Sequence, residues 1–87
     1  MAVTLVCAVY DSAAGCYGRP WFVPAKGLAI RSFVDEIRRP APDNPLNAHP
    51  DDFALWLIAE YDDNVGAFVN LPNPEKLITG LAASATE

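Results

Sequence analysis

One nine-residue stretch decides the fold that this sequence predicts: Phe53-Ala-Leu-Trp-Leu-Ile-Ala-Glu-Tyr61. Successive side chains of an extended strand point to opposite faces of a sheet. One face would carry Phe53, Leu55, Leu57, Ala59 and Tyr61, and the other would carry Ala54, Trp56 and Ile58. Because both sets are apolar, the stretch predicts a strand that needs cover on both faces.

The segments on either side extend this sheet. Val3–Tyr10 is rich in residues of high β-propensity and is largely apolar on both faces, which predicts a central strand. After a loop from Asp11 to Pro20, Trp21–Val23 forms a short extended piece. Asp62–Gly66 predicts a turn, and Ala67–Val69 returns antiparallel as the second arm of a hairpin.

One segment has the spacing of an amphipathic helix. From about Ala25 to Arg39, apolar residues recur at intervals of three and four, as Ile30, Phe33, Val34 and Ile37. Pro40 ends this helix, and the proline-rich run that follows, up to Pro50, predicts an ordered but irregular connection. Neither flank of that connection could fold alone, which argues against a domain boundary there.

A second, shorter helix is predicted near the C-terminus. Asn73 would be its N-cap and Pro74 its first residue, and the apolar residues Leu77, Ile78 and Leu81 would lie along it. The tail, residues 82–87, is expected to fray.

These elements, in the order β-α-β-β-α, predict a single α+β domain over residues 1–87. A right-handed crossover through the first helix would place the first two main strands parallel, with the hairpin arm at an edge. The result is a sheet of about three strands with two helices, a ferredoxin-like arrangement without its last strand. A small sheet with an open edge often pairs with a second copy, and we therefore expect a homodimer.

Composition restricts the class of protein. Apolar residues make up 52% of the 87, which predicts a chain that folds. No apolar run approaches the roughly 20 residues of a membrane span, and the first residues lack the pattern of a signal peptide. A cytosolic protein without membrane contact is expected. Cys7 and Cys16 form no CxxC motif, and we expect reduced thiols, with Cys7 a small buried side chain.

Charge is distributed unevenly along the chain. The net charge is −5, yet between Arg19 and Arg39 five basic residues occur with two acids, whereas from Asp43 onward eight acids occur with Lys76 alone. This polarity favours either an anionic ligand on one side or self-association. An acidic chain can bind nucleic acid only through a segregated basic face.

No arrangement of side chains predicts catalysis. His49 is the single histidine, and its position before Pro50 favours a turn. Asp51 and Asp52 could serve as acid and base, but adjacent carboxylates at the start of a strand are more often solvated. We therefore expect no catalytic residue and no enzyme activity.

Metal and cofactor sites are not predicted either. Asp62, Asn64 and Gly66 resemble the opening of a calcium loop, but the position that needs an acidic ligand is Asn73. A hairpin turn explains these residues better. Phosphate-binding glycine motifs and paired zinc motifs do not occur.

Aromatic and basic residues are concentrated between Tyr17 and Arg39. Exposed rings can stack on bases while guanidinium groups contact phosphates, as in proteins that hold single strands. The candidate nucleic-acid-binding residues are Tyr17, Arg19, Trp21, Arg31, Arg38 and Arg39. The structural alternatives are that Trp21 and Phe22 pack beneath the loop, and that the helix arginines form a solvated face.

Three segments, taken in order, carry a family resemblance. The first combines Val9-Tyr10-Asp11 with Tyr17-Gly18-Arg19-Pro20-Trp21-Phe22. The second is Ala29-Ile30-Arg31-Ser32-Phe33. The third is His49-Pro50-Asp51-Asp52-Phe53-Ala54-Leu55-Trp56, which runs on into Ile58-Ala59-Glu60-Tyr61-Asp62. In order and spacing they resemble the small nonstructural protein of gokushoviruses, single-stranded DNA phages of the microvirus group.

The resemblance implies a phage protein of the host cytoplasm that is absent from the virion. Such a protein would act in genome replication or single-stranded DNA synthesis, with single-stranded DNA as its suspected ligand. Tyr17, Arg19, Trp21 and Arg31 carry over as motif positions, and no catalytic residue does. The alternative hypothesis is a homodimeric protein-interaction module that recruits a phage or host replication protein without binding DNA.

Overall fold

The computed structural model describes residues 3–85. Within them the chain builds one antiparallel sheet. Its five strands are β1 (Val3–Asp11), β2 (Cys16–Tyr17), β3 (Trp21–Val23), β4 (Phe53–Asp62) and β5 (Ala67–Thr79). The strand order is β2-β1-β4-β5, and β3 also pairs with β1, on the side that β4 does not occupy.

Helices cover one face of this sheet. They are α1 (Lys26–Arg38), α2 (Pro45–Ala48) and α3 (Gly80–Ala85), and a single 3-10 turn at Pro50–Asp52 precedes β4. Helix α1 forms where its apolar spacing predicted it, and it buries Ala29, Phe33 and Ile37 against the sheet. No helix in residues 3–85 is both long and apolar enough to span a bilayer.

The core lies between α1 and the two central strands. Ile37, Leu55 and Cys7 are its largest fully buried side chains. The prediction that Cys7 is a small buried residue of the first strand is confirmed. Its burial raises the pKa of the thiol, because an apolar environment disfavours the thiolate.

The predicted α+β fold, a ferredoxin-like arrangement in the order β-α-β-β-α with about three strands and two helices, is wrong. The structure is mostly antiparallel β, with 45% of the described residues in five strands, and β4 runs antiparallel to β1, pairing from Val3 with Asp62 to Asp11 with Phe53. The physical reason is β3. Because Trp21–Val23 returns alongside β1, α1 starts from the end of the sheet where β1 begins, and β4 must run back in the opposite direction.

The predicted second helix is also wrong. Its residues up to Thr79 belong to β5, in which Lys76 pairs with Trp56 of β4 and Ile78 pairs with Leu55. The four residues Leu71 to Pro74 stand opposite Ile58 alone, and this irregularity accommodates two prolines that cannot donate to the ladder. The helix starts later, at Gly80. Residues 82–85, which were expected to fray, form the rest of α3, and residues 86–87 lie outside the described part.

A bulge in β4 changes which side chains share a face. Val6 pairs with Ala59 while Cys7 pairs with Leu57, which leaves Ile58 as an extra residue. Beyond the bulge the alternation is shifted by one. Ala59 and Tyr61 therefore lie on the same face as Trp56 and not, as simple alternation predicted, on the face of Leu55 and Leu57.

The backbone approaches closely at the start of α3. A Cβ added to Gly80 would overlap the carbonyl group of Pro50 and lie 3.0 Å from the carbonyl oxygen of Phe53. Both neighbours are backbone atoms and cannot rotate away. Close packing here ties α3 to the turn that precedes β4.

We expect Gly80→Ala to lower the free energy of unfolding by about 3 kcal/mol, because the added methyl group must displace backbone. Urea denaturation with an unchanged m value would measure this. Gly27→Ala is the matched control. A Cβ at Gly27, in α1, meets nothing within 4 Å, and alanine should stabilise the helix by up to about 1 kcal/mol. Equal effects of the two substitutions would contradict the close approach.

Asn44 joins the end of α1 to the start of α2 and is 3% exposed. Its Nδ2 donates to the carbonyl oxygens of Glu36, at 2.8 Å, and Arg39, at 2.9 Å. Its Oδ1 accepts from the backbone N–H of Leu46 at 3.1 Å. One side chain therefore bonds backbone groups at the end of α1 and the start of α2, and the Glu36 oxygen also accepts from the backbone N–H of Arg39 at 3.2 Å.

Asn44→Ala should lower the free energy of unfolding by about 2 kcal/mol, since the Arg39 oxygen and the Leu46 N–H lose their side-chain partner and the Glu36 oxygen loses one of its two donors. Asn64→Ala serves as the control. Asn64 is exposed in the β4–β5 turn, and its substitution should change stability by less than about 0.5 kcal/mol. Thermal or urea unfolding distinguishes the two, and a loss at Asn44 no greater than that at Asn64 would rule out the capping role.

Candidate nucleic-acid interface

The face of the sheet that points away from α1 is defined here as the open face. It carries six of the nine aromatic residues of the chain: Tyr10, Tyr17, Phe22, Trp56, Tyr61 and Phe68. The other three, Trp21, Phe33 and Phe53, pack in or against the core on the helix side. The aromatic residues are thus sorted mainly onto the face that none of the helices in residues 3–85 covers.

Tyr10, Tyr17 and Trp56 form one group on the open face, here called the Trp56 cluster. Tyr10 and Tyr17 lie opposite each other on β1 and β2, with ring centroids 4.9 Å apart and an edge-to-face angle of 62°. The Tyr17 ring meets Trp56 edge-on at 6.4 Å. The ammonium group of Lys76 lies 5.5 Å from the centroid of the Trp56 ring, within the range of a cation–π interaction.

Phe22, Tyr61 and Phe68 form a second group, the Phe22 cluster, at the other end of the open face. Tyr61 and Phe68 face each other across β4 and β5, with centroids 4.9 Å apart. The centroid of the Phe22 ring lies 5.6 Å from that of Tyr61 and 6.1 Å from that of Phe68. More than half of the surface of Phe22 and of Phe68 is exposed, at 54% and 59%.

Small side chains lie among these rings. Val6, Ala8 and Ala59 are 5%, 1% and 5% exposed, although no helix covers them and they are not part of the core beneath α1. The neighbouring aromatic side chains must therefore shield them from solvent. The rings rest on a closely packed floor, which restricts their motion and presents a broad apolar surface.

The charge of the open face differs from that of the whole chain. Lys76 lies over Trp56, and the strand register places no acidic residue on this face within residues 3–85. Glu75 belongs to the opposite face, where both of its carboxylate oxygens accept from Lys26 Nζ at 3.1 and 3.0 Å. Apolar rings and a cation are therefore presented together, although the chain as a whole is acidic.

The indole nitrogen of Trp56 is a buried donor without a hydrogen-bond partner in residues 3–85. A buried N–H of this kind costs free energy and is uncommon in folded proteins. This unpaired donor lowers the stability that the Trp56 cluster could otherwise contribute.

The structure separates the residues that the sequence predicted as a nucleic-acid site. Tyr17 lies on the open face and is 42% exposed. Arg19 follows in the exposed segment after β2 and has no ion-pair partner within residues 3–85. Trp21 lies on the helix side, where it packs against the core. Trp21 therefore has the packing role that was the structural alternative to base stacking.

The three predicted helix arginines lie on the helix side of the sheet, away from Tyr17. Arg31 is exposed on α1. Arg38 Nε donates to the backbone oxygen of Ala83 at 3.1 Å, which links α1 to α3. Arg39 binds Glu36 through two hydrogen bonds of 2.9 and 2.6 Å. These bonds lower the pKa of Glu36 and raise that of Arg39, because each group stabilises the charged form of the other.

The residues that were considered for catalysis and metal binding lie at turns of the chain. His49 is exposed and stands between α2 and the turn that precedes β4. Asp62 Oδ1 accepts from the backbone N–H of Asn64 at 3.0 Å, and Gly66 takes a positive φ of 67°. The predicted hairpin turn over Asp62–Gly66 is therefore confirmed.

Sequence reasoning missed most of the open face. Tyr10, Trp56, Tyr61, Phe68 and Lys76 were assigned to strands, a turn arm or a helix, and none was predicted to bind nucleic acid. The sequence did contain one signal for this face. The strands that were predicted to be apolar on both faces contain many aromatic residues. The bulge at Ile58 and the pairing of β5 bring these residues together, and neither follows from local sequence.

Comparison with known proteins identifies a family. A family model described as Phage ORF5 protein matches residues 4–83. No curated protein and no solved structure matches the chain. The match includes all five strands and α1, and it agrees with the phage origin that the resemblance implied. Because it covers nearly the whole sequence, this chain belongs to the phage ORF5 protein family.

Proposed function

We propose that this phage protein binds single-stranded DNA through the open face. In this proposal it is a nonstructural protein of a gokushovirus, acts in the host cytoplasm in genome replication or single-stranded DNA synthesis, and catalyses no reaction. The observation that carries the proposal is the concentration of six aromatic side chains on a sheet face that no helix covers.

Stacking provides the physical basis. Every base has a π-face, so aromatic rings on a sheet can hold successive bases with little sequence preference, each contributing about 1–3 kcal/mol. The best placed rings are the most exposed ones: Phe68 at 59%, Phe22 at 54% and Tyr17 at 42%. In duplex DNA the bases are already stacked on one another, and the proposal therefore requires a preference for single strands.

Electrostatics supports the same face. Lys76 and Arg19 would contact phosphates, while the register keeps acidic side chains off the open face in residues 3–85. The net charge of −5 opposes long-range attraction. We therefore expect binding that depends strongly on stacking and on only a few phosphate contacts, with a small salt slope.

A second candidate function is a protein-interaction module that recruits a phage or host replication protein. It is favoured by the exposure of Phe22 and Phe68, because exposed aromatic rings on a rigid support are typical of protein interfaces as well. The two functions differ in their ligand. Absence of DNA binding at low salt would favour the protein partner.

Tyr17→Ala should raise the Kd for a labelled oligothymidine about fivefold or more, since one stacking contact is lost. Fluorescence anisotropy at low salt measures this, with a duplex of equal length for comparison. Arg31→Ala, on the far side of the sheet, is the control and should change Kd less than about twofold, since exposed charges a Debye length away are screened. The opposite ranking of the two variants would assign binding to the helix side.

Lys76→Ala should reduce the slope of log K against log salt by about 0.7, the value for one phosphate contact on a single strand. Lys26→Ala is the matched control, because Lys26 is paired with Glu75 on the other face. The slope of log K against log salt for Lys26→Ala should equal that of the unaltered protein. If the two lysine variants have the same slope, Lys76 does not contact phosphate.

A further inference from the structure

The outer edge of β5 is unpaired. Strand β5 is last in the sheet order and pairs only with β4 within residues 3–85. Its first half, Ala67-Phe-Val-Asn-Leu71, is regular where it pairs with residues 59–62. This segment, here called the β5 edge, therefore has backbone N–H and C=O groups directed away from the sheet.

The β5 edge lacks the features that usually prevent pairing between sheets. Exposed edge strands commonly carry lysine, other charges or proline, which block the approach of a second strand. No charge and no proline occurs from Ala67 to Leu71, whereas Pro72, Pro74 and Glu75 follow directly. The nearest charged residue before the segment is Asp63. Proline and charge therefore hinder strand pairing along the second half of β5 but not along the first half.

Apolar side chains are exposed on both faces of this edge. Phe68, on the open face, is 59% exposed, and Val69, on the opposite face, is 55% exposed. Phe68 is held in place by Tyr61 and Phe22. A strand added here would therefore bury apolar surface above and below the new hydrogen bonds.

We propose that two copies of this chain associate through the β5 edge, antiparallel and about a two-fold axis at Val69. An antiparallel pair of identical strands is self-complementary, because each residue meets its symmetry partner in the same geometry. The axis falls on the middle residue of the neutral segment. Val69 then pairs with Val69 of the second copy, and Phe68 pairs with its Asn70.

The charge of the chain restricts where two copies can meet. With a net charge of −5, two copies repel each other in most orientations. The β5 edge is a neutral strip on which they can meet. The resulting two-fold axis is perpendicular to the sheet and places both open faces on the same side of one continuous sheet. This inference does not depend on the proposed DNA binding.

Sedimentation equilibrium of the full chain, without DNA, tests the proposal. From low micromolar to about 1 mM the mass should rise from 9.4 kDa toward twice that value. Val69→Lys places two like charges across the axis and should weaken association at least about tenfold. Val65→Lys is the matched control, since Val65 is 73% exposed in the turn outside the β5 edge, and it should leave association unchanged.

Cross-linking gives a second, independent measurement. In a Cys16→Ser background, Val69→Cys brings two thiols across the axis, within reach of a disulfide. Asn70→Cys does not, because Asn70 faces Phe68 of the other copy. Rapid cross-linking of the Val69→Cys variant alone supports the proposal. A monomer at all concentrations, a dimer that survives Val69→Lys, or equal cross-linking of both cysteine variants overturns it.

Discussion

The antiparallel pairing of β1 with β4 is the interaction on which the rest of the structure depends. It runs the whole length of β1, from Val3 to Asp11. One side of the pair, with Cys7 and Leu55 at its centre, supplies the floor of the core beneath α1. The other side supplies the floor of the open face. Each strand therefore needs apolar residues on both faces, which explains the composition of both segments.

The single bulge at Ile58 determines what the open face contains. Without it, Tyr61 would share the helix side with Leu55 and Leu57, and Phe22 and Phe68 would lose their aromatic neighbour. With it, Tyr61 contacts both rings. A bulge in a strand is a local adjustment of one residue, yet it moves every later side chain to the other face. The Phe22 cluster is a direct consequence.

Local signals predicted the local elements well and the pairing poorly. The apolar spacing of α1, the strands β1 and β4 and the hairpin turn all follow from residues close in sequence. The direction of β4 depended instead on whether Trp21–Val23 joins the sheet, and three residues carry too little pattern to decide this. In β5, Asn73 and Pro74 are a strong helix-start signal. Pairing with β4 outweighed it, and from this strand Leu77 and Ile78 pack against the core.

The candidate site was predictable to the same limited degree. Tyr17 was identified because aromatic and basic residues lie near it in sequence, and it does lie on the open face. Trp21 and the helix arginines were grouped with it by the same criterion, and the fold places them on the other side of the sheet. Alternation explains the separation of Trp21 from Phe22, since adjacent residues of a strand point to opposite faces. A site assembled across strands is set by register, and register is a non-local property of the chain.

The sizes of the side chains explain why the open face can remain uncovered. An exposed apolar sheet face normally requires a second layer. Val6, Ala8 and Ala59 are small and become almost fully buried beneath their aromatic neighbours, so the aromatic side chains act as that layer themselves. Larger residues at these three positions would lift the rings and loosen their edge-to-face contacts. The face thus gains rigidity without a covering helix, and its outer surface stays available to a planar ligand.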